Sequence, residues 1–108
     1  MYNVLYSPEF LRDLQEIEDY ITYQLRNRDS AFEVTDGLLL ATDALKNFPE
    51  RGKPLYLPDG TNTGFRAVIV GNYMAVYRVS GSEIQVARAV HTSQDYLQKL
   101  FPWIRHST

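Results

Sequence analysis

Residues 65–90 read Phe65-Arg66-Ala67-Val68-Ile69-Val70-Gly71-Asn72-Tyr73-Met74-Ala75-Val76-Tyr77-Arg78-Val79-Ser80-Gly81-Ser82-Glu83-Ile84-Gln85-Val86-Ala87-Arg88-Ala89-Val90, and this stretch decides the fold. Three runs of β-branched, aromatic and small apolar residues are separated by Gly71-Asn72 and by Ser80-Gly81-Ser82. Such short connections supply the positive φ angles that tight hairpins need, so the stretch predicts an antiparallel meander. Antiparallel sheets in small domains usually keep one face polar and wet. These strands do not. In Tyr73–Val79 and Ile84–Val90 both alternating sets are mainly apolar, so both faces of the sheet need a cover.

Upstream of the meander the pattern is helical. Tyr2 to Tyr6 is a short strand-like run, and Ser7-Pro8-Glu9 then starts a helix. Ser7 is a good N-cap, Pro8 suits the first helical position, and Glu9 places negative charge where the helix dipole favours it. Phe10, Leu11, Leu14, Ile17, Ile21 and Leu25 recur at three- and four-residue steps, giving an amphipathic helix to about Arg26. Arg12, Asp13, Glu16, Glu18 and Asp19 are placed on its polar face. After a break at Asn27-Arg28-Asp29, Ser30 and Glu33 have capping-box spacing for a second helix. Its apolar stripe is Ala31, Val34, Leu38, Ala41 and Leu45, and Pro49 ends it. Gly37 is expected to let the two helices approach closely. The short connection makes them an antiparallel hairpin. Leu55-Tyr56-Leu57 is a short edge strand in an otherwise loop-like segment.

Downstream, Thr92 or Ser93 is expected to cap a last short helix whose apolar face is Tyr96, Leu97, Leu100 and Phe101, with Pro102 stopping it before a tail containing Trp103. The result is one α+β domain over residues 1–108 in the order β-α-α-β-β-β-α. A small antiparallel sheet is packed by a helical hairpin and a C-terminal helix. The hairpin can cover only one face of the sheet. Two covers suit the other: this chain's own last helix and long loop, or a partner chain, since large apolar patches mark interaction sites.

Composition narrows the chemistry. There is no cysteine, which excludes disulfides, thiolate catalysis and Cys-based metal sites, and His91 and His106 are the only histidines. No nucleotide-binding or catalytic motif is recognisable, so neither cofactor nor metal is expected. No apolar run approaches the roughly 20 residues of a membrane span, nor does the start look like an export signal, so a cytoplasmic protein without membrane contact is expected. The net charge of −2 hides an asymmetry: residues 1–54 hold ten acids against six bases, residues 55–108 three acids against five. Three of those bases, Arg66, Arg78 and Arg88, lie on the strands. Strand arginines usually make surface ion pairs of little energy, but clustered on one sheet they suit an acidic partner or phosphates. His91 ends a strand where its ring can reach a cleft at the sheet edge, either as an ordinary surface histidine or as a general acid or base. Trp103 is of the residue type enriched at interface hot spots.

Several segments, in order, resemble one family. They are Val4-Leu5-Tyr6-Ser7-Pro8-Glu9-Phe10, Phe48-Pro49 to Gly52, Gly64-Phe65-Arg66, Val70-Gly71-Asn72-Tyr73, Val76-Tyr77-Arg78-Val79, Ile84 to His91 and Asp95-Tyr96. Together they are similar to the ParE/RelE superfamily of toxins from bacterial type II toxin–antitoxin pairs. The resemblance implies the same β-α-α-β-β-β-α fold and a cognate antitoxin whose C-terminal segment wraps the toxin in a hetero-oligomer. It also implies one of two activities. RelE-like members are ribosome-dependent mRNA endonucleases that carry several Lys, Arg or Tyr around a concave sheet face. ParE-like members inhibit DNA gyrase through a protein–protein contact and lack that basic set. Here Arg66 matches one basic position, but two others fall on Val68 and Met74, and the basic stretch after the last strand reads Thr92-Ser93-Gln94. His91 followed by Asp95 matches the ParE-like branch, although the Arg often found beside them is missing. The resemblance therefore implies a gyrase inhibitor without catalysis or direct nucleic-acid binding, with Arg66, Arg78, Arg88, Phe101 and Trp103 as partner-binding residues. The alternative is a ribosome-dependent mRNA endonuclease using Arg66, Arg88, His91 and Tyr96. A third is a toxin fold that has lost toxicity and persists as a binding partner.

Overall fold

The computed structural model describes residues 1–93 and 95–101 of the chain. Its elements are β1 (Asn3–Tyr6), α1 (Pro8–Asp19), a π-helical turn (Tyr20–Gln24), α2 (Arg28–Asp43), a 3-10 turn (Ala44–Lys46), β2 (Lys53–Tyr56), β3 (Asn62–Val70), β4 (Tyr73–Ser80), β5 (Glu83–His91) and α3 (Tyr96–Leu100). The five strands form one sheet in the order β1-β5-β4-β3-β2. The meander β3-β4-β5 is antiparallel as predicted, with Val70 opposite Tyr73 and Ser80 opposite Glu83 at its two turns. The expectation of a purely antiparallel sheet is corrected at β1, which lies parallel to β5 from Asn3 opposite Glu83 to Tyr6 opposite Val86. A parallel neighbour requires a crossover connection, and here the helical hairpin with β2–β4 supplies it.

Ser7 fixes where the first strand becomes a helix. Its Oγ accepts from the Phe10 N–H at 3.0 Å and donates to the Ala87 carbonyl at 2.7 Å, so the N-cap of α1 is also tied to β5. The stripe Phe10, Leu14, Ile17 and Ile21 is buried, and with Ala31, Leu38 and Leu45 it packs on Ala75, Tyr77, Ile84, Val86 and Ala89. Leu11 and Leu25, assigned to the stripe from spacing, are exposed instead. Asp13, assigned to the polar face, is only 4% exposed. It stands three residues after Phe10, on the buried side of the helix.

The second helix starts earlier than its sequence signal. Arg26 turns the chain with a φ of 52°, and Asn27 then caps α2, its Oδ1 accepting from the Ser30 N–H at 3.1 Å. The Ser30–Glu33 capping box is therefore not used, because the reversal at Arg26 places the non-helical residue one turn upstream. Gly37 does not serve the helix–helix contact either. A Cβ there would lie 2.9 Å from Val70 Cγ1, so the glycine admits β3. Below it, Thr42 is fully buried and its Oγ1 bonds the Leu38 carbonyl and the Tyr6 hydroxyl, each at 2.9 Å.

The second face of the sheet carries its own core. Leu55, Ala67, Met74, Val76 and Val90 are buried there, with Phe65, Tyr96 and Leu100 packed against them. The chain's last helix thus covers part of this face, held by an Asp95 cap that accepts from the Gln98 N–H at 3.3 Å in place of the expected Thr92 or Ser93. The two-faced apolar pattern has a local cause in β5. Tyr77 pairs with Val86 but Val76 pairs with Arg88, so Ala87 is an extra residue, a β-bulge. The bulge switches the alternation: Ile84, Val86 and Ala89 face the helices, while Arg88 and Val90 fall on the second face.

Candidate functional site

The three strand arginines do not form one cluster. Arg66 lies opposite Tyr77 on the helix-covered face, and its Nη1 donates to the carbonyls of Glu50 at 3.2 Å and Gly52 at 2.8 Å. The same loop is held from below by Tyr77, fully buried, whose hydroxyl donates to the Pro49 carbonyl at 2.8 Å and accepts from the Gly52 N–H at 2.9 Å. Burial pushes the Tyr77 hydroxyl above its usual pKa of 10.0, against the Gly52 hydrogen bond and the nearby Arg66. Gly52 has to be a glycine: a Cβ there would lie 2.7 Å from the Tyr77 ring and 2.9 Å from the Ala67 carbonyl oxygen. Arg66 is in this way an anchor of the 49–52 loop.

Arg88 is committed differently. From the second face it reaches past the edge of β5 to α1, where its Nε meets Asp13 Oδ2 at 2.8 Å and its Nη2 meets Oδ1 at 3.0 Å. Asp13 Oδ2 also accepts from the Ala89 N–H at 2.9 Å, beside the bulge. The hydrogen bonds to Asp13 hold the guanidinium above its usual pKa, against partial burial. Asp13 is the functional-scale residue that reading the sequence missed. Its position three residues after Phe10 was the available signal, since a carboxylate on a buried stripe demands a partner.

Arg78 is the third. Its Nε donates to Gln85 Oε1 at 2.7 Å, and its guanidinium lies 5.8 Å from the centre of the Phe65 ring, within cation–π range. Phe65 in turn meets the buried Phe101 edge to face at 5.6 Å. These residues border a groove that α3 leaves uncovered. One part, of about 290 Å³, runs between Phe65, Val76, Arg88, Leu100 and Phe101, and it continues past Ala87 into a part of about 520 Å³ bordered by Leu5, Arg78 and Gln85. The floor is apolar and the rim carries two guanidinium groups, one of them already paired. Trp103 lies outside the described residues.

His91 opens on a different cleft. It stands opposite Tyr73, the two rings edge to face at 5.0 Å, at a cleft of about 450 Å³ that also borders Asp13, Glu16, Tyr20, Ser93 and Lys99. The Ser93 N–H reaches Nδ1 at 3.0 Å, which leaves Nδ1 as acceptor in that contact. Burial raises the Tyr73 hydroxyl above its usual pKa, with Tyr20 adding to the effect. The sequence-based expectation of a cleft beside His91 is met. Tyr96, however, packs into the second core. Arg66 sits four residues along β4 from the His91 row, roughly 13 Å at strand spacing. Among the described residues there is no group of metal-ligating side chains suited to an ion, and no helix is long and apolar enough to cross a membrane.

The family model for the ParE toxin of type II toxin–antitoxin systems matches residues 4–96. The chain belongs to the ParE toxin family. Solved structures agree on the fold. A chain of the chromosomal ParDE toxin–antitoxin system of P. aeruginosa superposes with a TM-score of 0.71 at 22% identity, covering 86% of this chain and 98% of its own. A chain of the RelBE2 toxin–antitoxin complex of Mycobacterium tuberculosis gives 0.51 at 24% identity, covering 83% and 96%. YafQ of E. coli gives 0.56 at 18% identity, covering 94% and 99%. No curated protein matches the chain significantly. The family resemblance sets Val68 and Met74 at two positions where it implies cations in RelE-like members. Val68 packs on the first core and Met74 is buried in the second. A cation at the buried Met74 position would have to be desolvated.

Proposed function

We propose that this ParE-family chain is a toxin that inhibits DNA gyrase in the cytoplasm by protein contact, with no catalysis of its own, and that a cognate antitoxin neutralises it. One observation carries the reading. The residues a ribonuclease would use, Arg66, Arg88, His91 and Tyr96, are not gathered around one point: Arg66 holds a loop, Arg88 holds Asp13, and Tyr96 packs in a core. Cleaving RNA needs cations aimed at the charge that develops on the phosphate, and guanidinium groups engaged with carbonyls and a carboxylate are poorly placed for it. The antitoxin fits the open groove on the second face. Its apolar floor suits an apolar side of an extended or helical segment, and Arg78 at the rim suits a carboxylate on that segment. Neighbouring folds solved as toxin–antitoxin systems support such a partner.

The His91 cleft favours one alternative, an mRNA endonuclease in which His91 is the proton-transfer group beside Tyr73 and Lys99. Substitution separates the two readings. His91 is half-buried and meets Tyr73 edge to face, and His91→Ala is expected to fold and to arrest growth on expression as the parent does. Loss of growth arrest by a folded His91→Ala protein, together with loss of cuts in translated mRNA, would establish the endonuclease instead.

A further inference from the structure

The outer side of α2, away from the sheet, is unusually apolar for a helix facing solvent. Phe32 is 68% exposed and Leu40 is 65% exposed. With Asp36 between them and Ala44 beyond, they form one i, i+4 ridge, Phe32-Asp36-Leu40-Ala44, along the helix. Asp43 stands three residues beyond Leu40 and pairs with Lys46 at 3.0 Å.

Directly beside this ridge lies a matching hollow. It has a volume of about 410 Å³ and runs between the Leu40-Ala41-Ala44 side of α2 and the outer edge of β3 at Ala67-Val68-Ile69, with Arg51 and Lys53 at its rim. The hollow exists because β2 is short. Its pairing with β3 reaches Lys53 opposite Ala67 and goes no further, so among the described residues the outer edge of β3 from Val68 to Val70 has no neighbouring strand. The ridge therefore carries an apolar knob with a carboxylate one turn before it, and the hollow has apolar walls with two cations at its rim. Neither Arg51 nor Lys53 lies in the groove or the cleft described above.

We propose that this surface binds a second copy of the chain, forming a two-fold dimer in which Leu40 of each protomer enters the hollow of the other and Asp36 faces the other's Arg51 and Lys53. A closed two-fold interface must be self-complementary, and that condition is restrictive: knob and hollow have to lie side by side, with opposite charge, on the same surface. Here they share Leu40 and Ala44. Ridges spaced by four residues on two copies of α2 interdigitate at a crossing angle of about −50°. The dimer leaves the groove on the second face open, so it is compatible with an antitoxin and independent of whether gyrase is the target.

Sedimentation of the purified chain across a dilution series tests it. The expected mass at high concentration is twice the 12.5 kDa of the single chain. Leu40→Glu and Asp36→Lys, both on exposed positions, are each expected to give a folded monomer by circular dichroism. Combining Asp36→Lys with Arg51→Glu is expected to restore the dimer, because the swapped charges again face each other. A parent chain monomeric at every concentration would overturn the proposal, as would a dimer that survives Leu40→Glu or an Asp36→Lys/Arg51→Glu protein that stays monomeric.

Discussion

Arg88→Ala is expected to lower the unfolding free energy by about 3–5 kcal/mol, the range seen when one member of a buried ion pair is removed and its partner stays. The loss is large because Asp13, not Arg88, is the buried member: the carboxylate is 4% exposed and would be left in the interior with no cation against it. Asp13→Ala is expected to cost in a different way. It frees an arginine that can turn to water, but it leaves the Ala89 N–H at the bulge without its acceptor, worth about 1–3 kcal/mol. The double substitution should cost less than the two single losses combined, since neither charge is then left unmatched. Denaturant unfolding at neutral pH measures all three. An Arg88→Ala midpoint close to that of the parent would show that the pair contributes nothing to stability and that Arg88 is available to a partner.

Tyr77→Phe is the second large expected effect. It removes one hydroxyl that satisfies two backbone groups, the Pro49 carbonyl and the buried Gly52 N–H. The orphaned N–H alone costs about 1–3 kcal/mol. For a domain of this size each kcal/mol lowers Tm by roughly 4–8 °C. The same residue gives a pH signature. Burial raises the folded pKa of Tyr77 above 10.0, so the folded state favours the neutral phenol. The stability this contributes is fully present below about pH 10 and is lost as pH rises through the folded value. Thermal unfolding followed from neutral to alkaline pH should therefore fall more steeply for the parent than for Tyr77→Phe, with Tyr73, also raised by burial, contributing to the slope in both. Parallel curves would contradict the assignment.

What the sequence discloses and what it hides follow from physical range. The meander is legible because its turns are local: Gly71-Asn72 and Ser80-Gly81-Ser82 specify hairpins within a few residues. The need to cover both faces is legible from the apolar alternation, and the structure answers it partly with α3. Three features depend on distant contacts and were not legible. The parallel pairing of β1 is decided by β5, some eighty residues away. The bulge at Ala87 reverses which face Arg88 and Val90 occupy, and a one-residue slip leaves no mark in a strand whose two faces are both apolar. Asp13 reads as one more acid on an acidic helix until its spacing from Phe10 is taken seriously. For the candidate site the same limit applies. Arg66, Arg78 and Arg88 look like one basic cluster in the linear chain, whereas pairing and the bulge distribute them over two faces with separate partners.

The charge asymmetry between the two halves of the chain acquires a structural sense. Part of the acidity of the helical half is used internally, where Asp13 meets Arg88 of the other half. The proposed action by protein contact rests on this distribution: the cations bordering the open groove, Arg78 and Arg88, are engaged with Gln85 and Asp13.

The proposed action of this toxin on gyrase, by contact and without cutting nucleic acid itself, has a direct readout in supercoiling. Adding the purified chain to gyrase with relaxed plasmid and ATP tests it most directly. Supercoiling is expected to be blocked and cleaved DNA to accumulate in proportion to added toxin, with both effects reversed by the antitoxin. Undisturbed supercoiling, with codon-specific cuts appearing when the same protein is added to a translating extract, would contradict it.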